Sequence, residues 1–365
     1  MDNFSLNTNY QKSPKMPESK NSKFYLLSVI KKTSCLIILL FIAQCSKDED
    51  SVILRDYEFA IYLLQNSDLK IDDILTKALA DQDSIALSKI EIQNHPWLTN
   101  EDIDFYDFSS HLIYLKQDKS VFLPERVDLA FPASWWDKPF VVVANGQKRY
   151  VGIFSSPLSS NHWPVPEIND GFNFISYPID LLIIQWMWFP AVDLNDSRHD
   201  SIVKQALIKA NILHEGIEVK LNKILFTENT DTATVEYTYT IINNDLDNLY
   251  VFDPDKMGSD LYHFYNNGPS FLKSDEVSTR EAIYAKPEIP EPRDYWNPDW
   301  FVKINSGDSI VRTVNIRGYS YFPQGTYYCI LLFQGHKKIP KAQRDLLDGR
   351  YWIGQTSSDL IGIQY

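Results

Sequence analysis

From Gly216 onward the pattern of the chain turns to strands, and no feature constrains its fold as tightly as the period-two alternation of residues 235–241. Val235, Tyr237, Tyr239 and Ile241 fall on one side of an extended segment, with Glu236, Thr238 and Thr240 on the other. Residues 249–252, 309–316 and 325–333 also read as strands, and turn residues precede each: Asn243 and Asn244, Asn305 to Asp308, and Pro323. Several short strands separated by such signals predict a β-sandwich over residues 217–365.

The segment before it is of mixed character. Asn145-Gly146 stands between two β-branched and aromatic runs, which predicts a hairpin over residues 140–154, because both turn residues need positive φ. Residues 56–64 and 111–115 read as strands. Residues 71–80, with Ile74, Leu75 and Leu79, read as helical, and Asn100 as the cap of a short helix over 100–104. Residues 181–189 fit a buried strand or helix and are too few to span a bilayer. Residues 200–214 place Ile202, Val203, Ala206, Leu207, Ala210 and Leu213 on one helical face, with Gly216 as the expected C-terminal cap. The expected fold is therefore an α+β N-terminal unit, residues 53–195, a connecting helix, 196–216, and a mainly-β sandwich, 217–365.

The N-terminal region carries an address. Lys31 and Lys32 precede a nine-residue apolar run, 35–43, followed by Gln44, Cys45 and then Ser46, Lys47, Asp48, Glu49 and Asp50. A positive region, a short apolar core and a polar sequel describe a secretory signal, and the run has about half of the ~20 apolar residues a spanning helix needs. With Cys at the cut and an acidic tract after it, the segment resembles a bacterial lipoprotein signal of the Bacteroidota type, although Gln44 stands where a small residue is usual. The resemblance implies that Cys45 is acylated, that residues 46–52 form an acidic tether, and that the chain sits in the cell envelope at the outer membrane, on its periplasmic face or at the cell surface. Met16 is a candidate start, and residues 1–22 are set aside.

Charge narrows the partners. Residues 1–45 hold six Lys and two acidic residues, so the totals of 35 basic and 48 acidic leave 29 and 46 beyond Cys45, a net of −17. Such a chain repels nucleic acid and anionic headgroups, so the bilayer is expected to hold it through the acylated Cys45 and not through a basic patch. Beyond Cys35 and Cys45 only Cys329 remains, so no disulfide is expected within the mature part. Tyr327-Tyr328-Cys329 is spelled as an immunoglobulin F strand is. The order of strands and turns over residues 217–335 resembles bacterial immunoglobulin-like domains, including the BsuPI-type proteinase-inhibitor family. That likeness is one of pattern and implies a third possible role, protease inhibition.

Motifs that carry chemistry are few. There is no phosphate loop, no His-Glu-x-x-His helix and no Gly-x-Ser-x-Gly elbow. The seven His are scattered, none at a metal-ligand spacing from another, so neither a metal nor any other cofactor is expected. Asp253, Asp255 and Asp260 make a weak calcium candidate, since Met257 and Phe264 occupy donor positions of a standard loop; the plainer reading is a turn. Asp102, Asp104, Asp107 and His111 can be set up as an acid–base cluster for an exported hydrolase, or simply cap a helix end.

The aromatic surplus points elsewhere. Nine Trp include Trp135 beside Trp136, and Trp163, Trp296 and Trp300 in or next to proline-containing loops; residues 287–298 alone carry Pro287, Pro290, Pro292 and Pro298. Rigid loops present rings that stack on sugars or anchor a protein partner. The leading expectation is a non-catalytic, membrane-anchored binding or assembly module with a protein or glycan ligand, Trp163, Trp296, Trp300 and Trp135 being the candidate contacts.

Overall fold

The computed structural model describes residues 57–365, apart from 67, 75–86, 122–136, 156–162, 164, 169–177, 179, 187–195, 229–230, 267, 274–278, 281–294 and 321. Cys45 and Trp135 lie outside the described residues. The chain is mainly β, with several sheets, and Val52–Tyr365 forms one compact unit. Among the described residues no helix is long and apolar enough to cross a membrane.

The first nine strands are β1 (Phe59–Leu63), β2 (Leu98–Thr99), β3 (Ile103–Asp107), β4 (Leu112–Leu115), β5 (Pro139–Ala144), β6 (Gln147–Phe154), β7 (Glu167–Ile168), β8 (Leu181–Gln185) and β9 (Leu213–His214). They make one sheet in the order β2-β1-β5-β6-β7-β8-β4-β3-β9. The β5–β6 hairpin turns at Asn145 (φ 48°) and Gly146 (φ 75°), both left-handed, as the Asn-Gly pair requires. Every residue of β5 is buried, because both faces of the sheet are covered. Phe140, Val142 and Ala144 join a core with the helix Ser201–Lys209, while Val141 and Val143 pack with Ile71, Ile74, Ile90 and Ile92.

That helix is shorter than its apolar periodicity suggests. Asp200 caps it, accepting from the backbone N–H groups of Ile202 and Val203. It stops at Asn211 (φ 56°), where Asn211 N–H donates to Ile208 O and Ile212 N–H to Leu207 O, a Schellman closure. Gly216 (φ 71°) serves a later bend, where a Cβ would meet Ser109 Oγ at 2.1 Å and Asp107 Oδ1 at 2.6 Å. Asn100 caps no helix either. It lies in the turn between β2 and β3 and accepts from Phe59 N–H.

The remaining strands are β10 (Ile217–Glu228), β11 (Thr232–Asn243), β12 (Leu249–Phe252), β13 (Pro269–Lys273), β14 (Thr279–Arg280), β15 (Phe301–Ile304), β16 (Ser309–Ser320), β17 (Thr326–Gln334), β18 (Asp345–Leu346), β19 (Gly349–Tyr351), β20 (Gln355–Ser357) and β21 (Ile361–Gln364). They form the sheets β10-β11-β16, β15-β12-β19-β18 and β14-β13-β17-β20, with β21 also on β17. Strand β11 buries alternate residues from Ala233 to Asn243, and β17 buries Tyr327, Cys329, Leu331 and Phe333. These faces meet in one cluster with Phe271, Val314, Ile316 and Trp352. Burial pushes the Cys329 thiol well above its ordinary pKa.

The same cluster takes in Leu112, Tyr114, Leu181 and Ile183 from β4 and β8, so the nine-stranded sheet and the later strands share a core. Asp253 caps a helical turn, Pro254–Met257, followed by the helix Ser259–Asn266, where the sequence suggests a turn between strands.

Candidate functional site

Two clusters of His and Asp form among the described residues: His214, Asp245 and Asp247, and His111, Asp196 and His199. They are built from the same residue types and have opposite character.

The first cluster is closed. Asp245 is fully buried and accepts from His214 Nδ1 (2.9 Å), Gly216 N–H (3.1 Å), Asp247 N–H (3.0 Å) and Arg350 Nη2 (2.9 Å). Burial alone would raise its pKa. The His214 hydrogen bond and the Arg350 charge outweigh that and hold the carboxyl well below the ordinary carboxylate range. Arg350 Nη2 also lies 3.5 Å from Asp107 Oδ2, and the guanidinium stands over the Phe105 ring, 4.7 Å from its centroid. Asp107 comes from β3, Arg350 from β19 and Asp245 from the turn after β11. The cluster therefore ties the nine-stranded sheet to the later strands, and every ligating oxygen of Asp245 is already committed.

The second cluster is open. His111 ends the β3–β4 turn with φ 53°, outside the range most residues adopt, and is 1 % exposed. Its Nδ1 lies 3.0 Å from Tyr106 Oη, and its Nε2 lies 3.4 Å from His199 Nε2. His199, in a 3-10 turn just before the helix Ser201–Lys209, has a side chain 56 % exposed, with its Nδ1 3.6 Å from Asp196 Oδ2. Arg198 clamps Asp196 through Nε and Nη2 and also donates to Ile184 O. Phe108 meets both imidazoles edge-on, with centroids 5.2 and 5.8 Å away. Burial, helped by the Arg198 charge, pushes His111 well below the ordinary histidine pKa, and burial pushes Tyr106 above its own against that same charge. The histidines are scattered in sequence, yet two of them, 88 residues apart, face each other here.

The carboxylates of the expected acid–base group do not converge. Asp102 accepts from Thr99 N–H and Oγ1 in the β2–β3 turn, Asp104 is exposed, Asp107 belongs to the Arg350 network, and His111 to the histidine pair. Nor do Asp253, Asp255 and Asp260 form a cation site. Arg312 donates to Asp253 through Nε (2.6 Å) and Nη2 (3.1 Å), and its Nε lies 3.1 Å from Asp255 Oδ2, so a guanidinium holds the place a cation would take. Asp260 starts the next helix.

The indoles divide. Trp300 is buried, tilted against Phe252 and Tyr265. Trp296 is half-buried and leans edge-on against Tyr351 (5.3 Å) and Phe301 (6.2 Å), beside the exposed Tyr295, which meets Trp300 edge-on. Tyr351 in turn lines a hollow with Lys341, Arg344, Asp180 and Asp345. Trp163 is half-buried against the small cluster of Val141 and Val151, with its indole N–H buried and without an acceptor. Trp163 and Trp296 therefore belong to different cores and do not line one groove. No family model and no curated protein matches the chain.

Proposed function

We propose that this chain is a lipid-anchored, non-catalytic recognition module of the bacterial cell envelope, which holds a protein or glycan ligand on an aromatic face built around Tyr295 and Trp296. The observation that carries the recognition half is the ring stack itself. A half-buried indole and an exposed phenol rest on Phe301, Tyr351 and Trp300, next to a hollow bearing Lys341, Arg344 and Asp345. Flat rings held from below, with polar groups beside them, suit sugar faces and the apolar anchors of a protein partner. Trp300 supports that face from beneath and does not present itself.

The anchoring half rests on Cys45, its apolar prelude and the acidic tract after it. For the architecture we infer an α+β N-terminal unit and an immunoglobulin-like sandwich. Support for the sandwich is the tyrosine corner at Tyr327, two residues before Cys329, whose hydroxyl donates back to Pro323 O at 2.6 Å.

Two experiments test the reading. Metabolic labelling with an alkyne fatty acid should mark the wild-type chain and not Cys45→Ala; an unlabelled wild-type protein with an intact amino terminus would overturn the anchor. A glycan array and envelope cross-linking should yield a ligand whose retention falls at least tenfold in Tyr295→Ser/Trp296→Ala. Unchanged retention in that folded double variant would remove the aromatic face from the proposal.

A further inference from the structure

We propose that His111 and His199 form a binding site for a divalent transition-metal ion of the zinc type, held between their two Nε2 atoms. The argument begins with a distance. Two ligands at Zn–N of about 2.0–2.1 Å and a tetrahedral angle stand about 3.3–3.4 Å apart. The two Nε2 atoms are 3.4 Å apart, with the rings inclined at 68°. The imidazoles thus already hold the separation a shared ion imposes, and replacing the one proton between them by a metal needs no backbone movement.

Each ring is also oriented from behind. A metal-bound histidine ordinarily has its second nitrogen facing an oxygen that fixes tautomer and tilt. His111 Nδ1 has Tyr106 Oη at 3.0 Å, and His199 Nδ1 has Asp196 Oδ2 at 3.6 Å. Both Nδ1 atoms therefore face outer oxygens while both Nε2 atoms face one another. Asp196, whose carboxylate lies within 4.8 Å of both rings, stays clamped by Arg198 and backs His199. Phe108 walls the pair on its apolar side.

Access and selectivity follow from the surroundings. His111 is buried and fixed by its left-handed backbone, whereas His199 opens to solvent, so the ion arrives from the His199 side and keeps water in its remaining positions. Imidazole ligands favour zinc, copper or nickel over calcium or magnesium. The nearby Arg198 charge opposes any cation, which sets a weaker affinity than a carboxylate-rich site would have. The other cluster cannot take the same ion, because His214 Nδ1 and Asp245 are already spent on each other and on Arg350.

The test uses the full chain, stripped of metal with a chelator and titrated with zinc against a chromophoric indicator, and separately with cobalt read by its visible absorption. One zinc per chain, and a cobalt spectrum of low-coordinate nitrogen ligation, are expected. His199→Ala replaces an exposed side chain and should retain the fold while weakening zinc at least tenfold; His214→Gln should leave binding unchanged. The proposal is overturned if the wild-type chain binds no zinc, if His199→Ala binds as the wild type does, or if His214→Gln alone abolishes binding.

Discussion

The two histidine–aspartate clusters contain nearly the same residues and do opposite things with them. Around Asp245 four donors converge on one buried carboxylate, and the neighbouring guanidinium sits on an aromatic ring. Around His111 and His199, donors and acceptors are arranged in a line from a buried phenol to solvent, and the centre of that line is the gap between two imidazoles. Composition therefore does not decide what such a cluster is for. What matters is whether its lone pairs are already used.

Arg350→Met puts that contrast under the most severe test. Removing the guanidinium leaves Asp107 and Asp245 as buried carboxylates short of a countercharge, which should lower stability by about 3–5 kcal/mol in urea denaturation. A loss below 1 kcal/mol would show that the closed cluster is not what joins the two parts.

Gly216→Ala comes next. It places a Cβ against Ser109 Oγ and Asp107 Oδ1 at a backbone angle that L residues avoid, and should cost about 1–3 kcal/mol. A neutral result would mean that the β9–β10 bend adjusts freely.

Acid should then probe the closed cluster through Asp245. The folded chain holds Asp245 below its ordinary value of 3.8, so on acidification the unfolded chain takes up that proton first. Its contribution is fully present above pH 4 and is lost as pH falls from there through the depressed folded value. Asp245→Asn should be less stable at neutral pH and decline less steeply below pH 4, measured as the urea midpoint across pH. A variant with the wild-type slope would assign the acid sensitivity elsewhere.

The smallest effect on stability belongs to His199→Ala, expected within about 0.5 kcal/mol because the side chain is largely exposed. A large loss there would turn the open cluster into a second structural lock.

What the sequence makes legible is what short-range physics decides. Asn145-Gly146 dictates its hairpin because both residues must turn left-handed, and the alternation through Tyr237 and Tyr239 selects an inner face. The helix ends early because Asn211 can adopt the closing conformation five residues before Gly216. Neither Arg350 meeting Asp245, 105 residues away, nor His199 meeting His111 is written in any local pattern. Such pairs depend on sheet order, and β9 reaches β3, more than a hundred residues earlier, only once the nine-stranded sheet is assembled. Asp253 misleads for the same reason: its partner is Arg312, on β16. The indoles are the intermediate case. A proline-containing loop does keep Trp296 near the surface, but four residues later the chain has turned Trp300 inward.

Cys329 gives the interior of the later strands a built-in clock. As the sole thiol of the described residues, buried on β17 and kept protonated by its surroundings, it is shielded from alkylating reagents until β17 separates from its neighbours. The rate at which a maleimide consumes it, followed by intact mass, would therefore time the opening of that layer directly, without any probe having to be introduced.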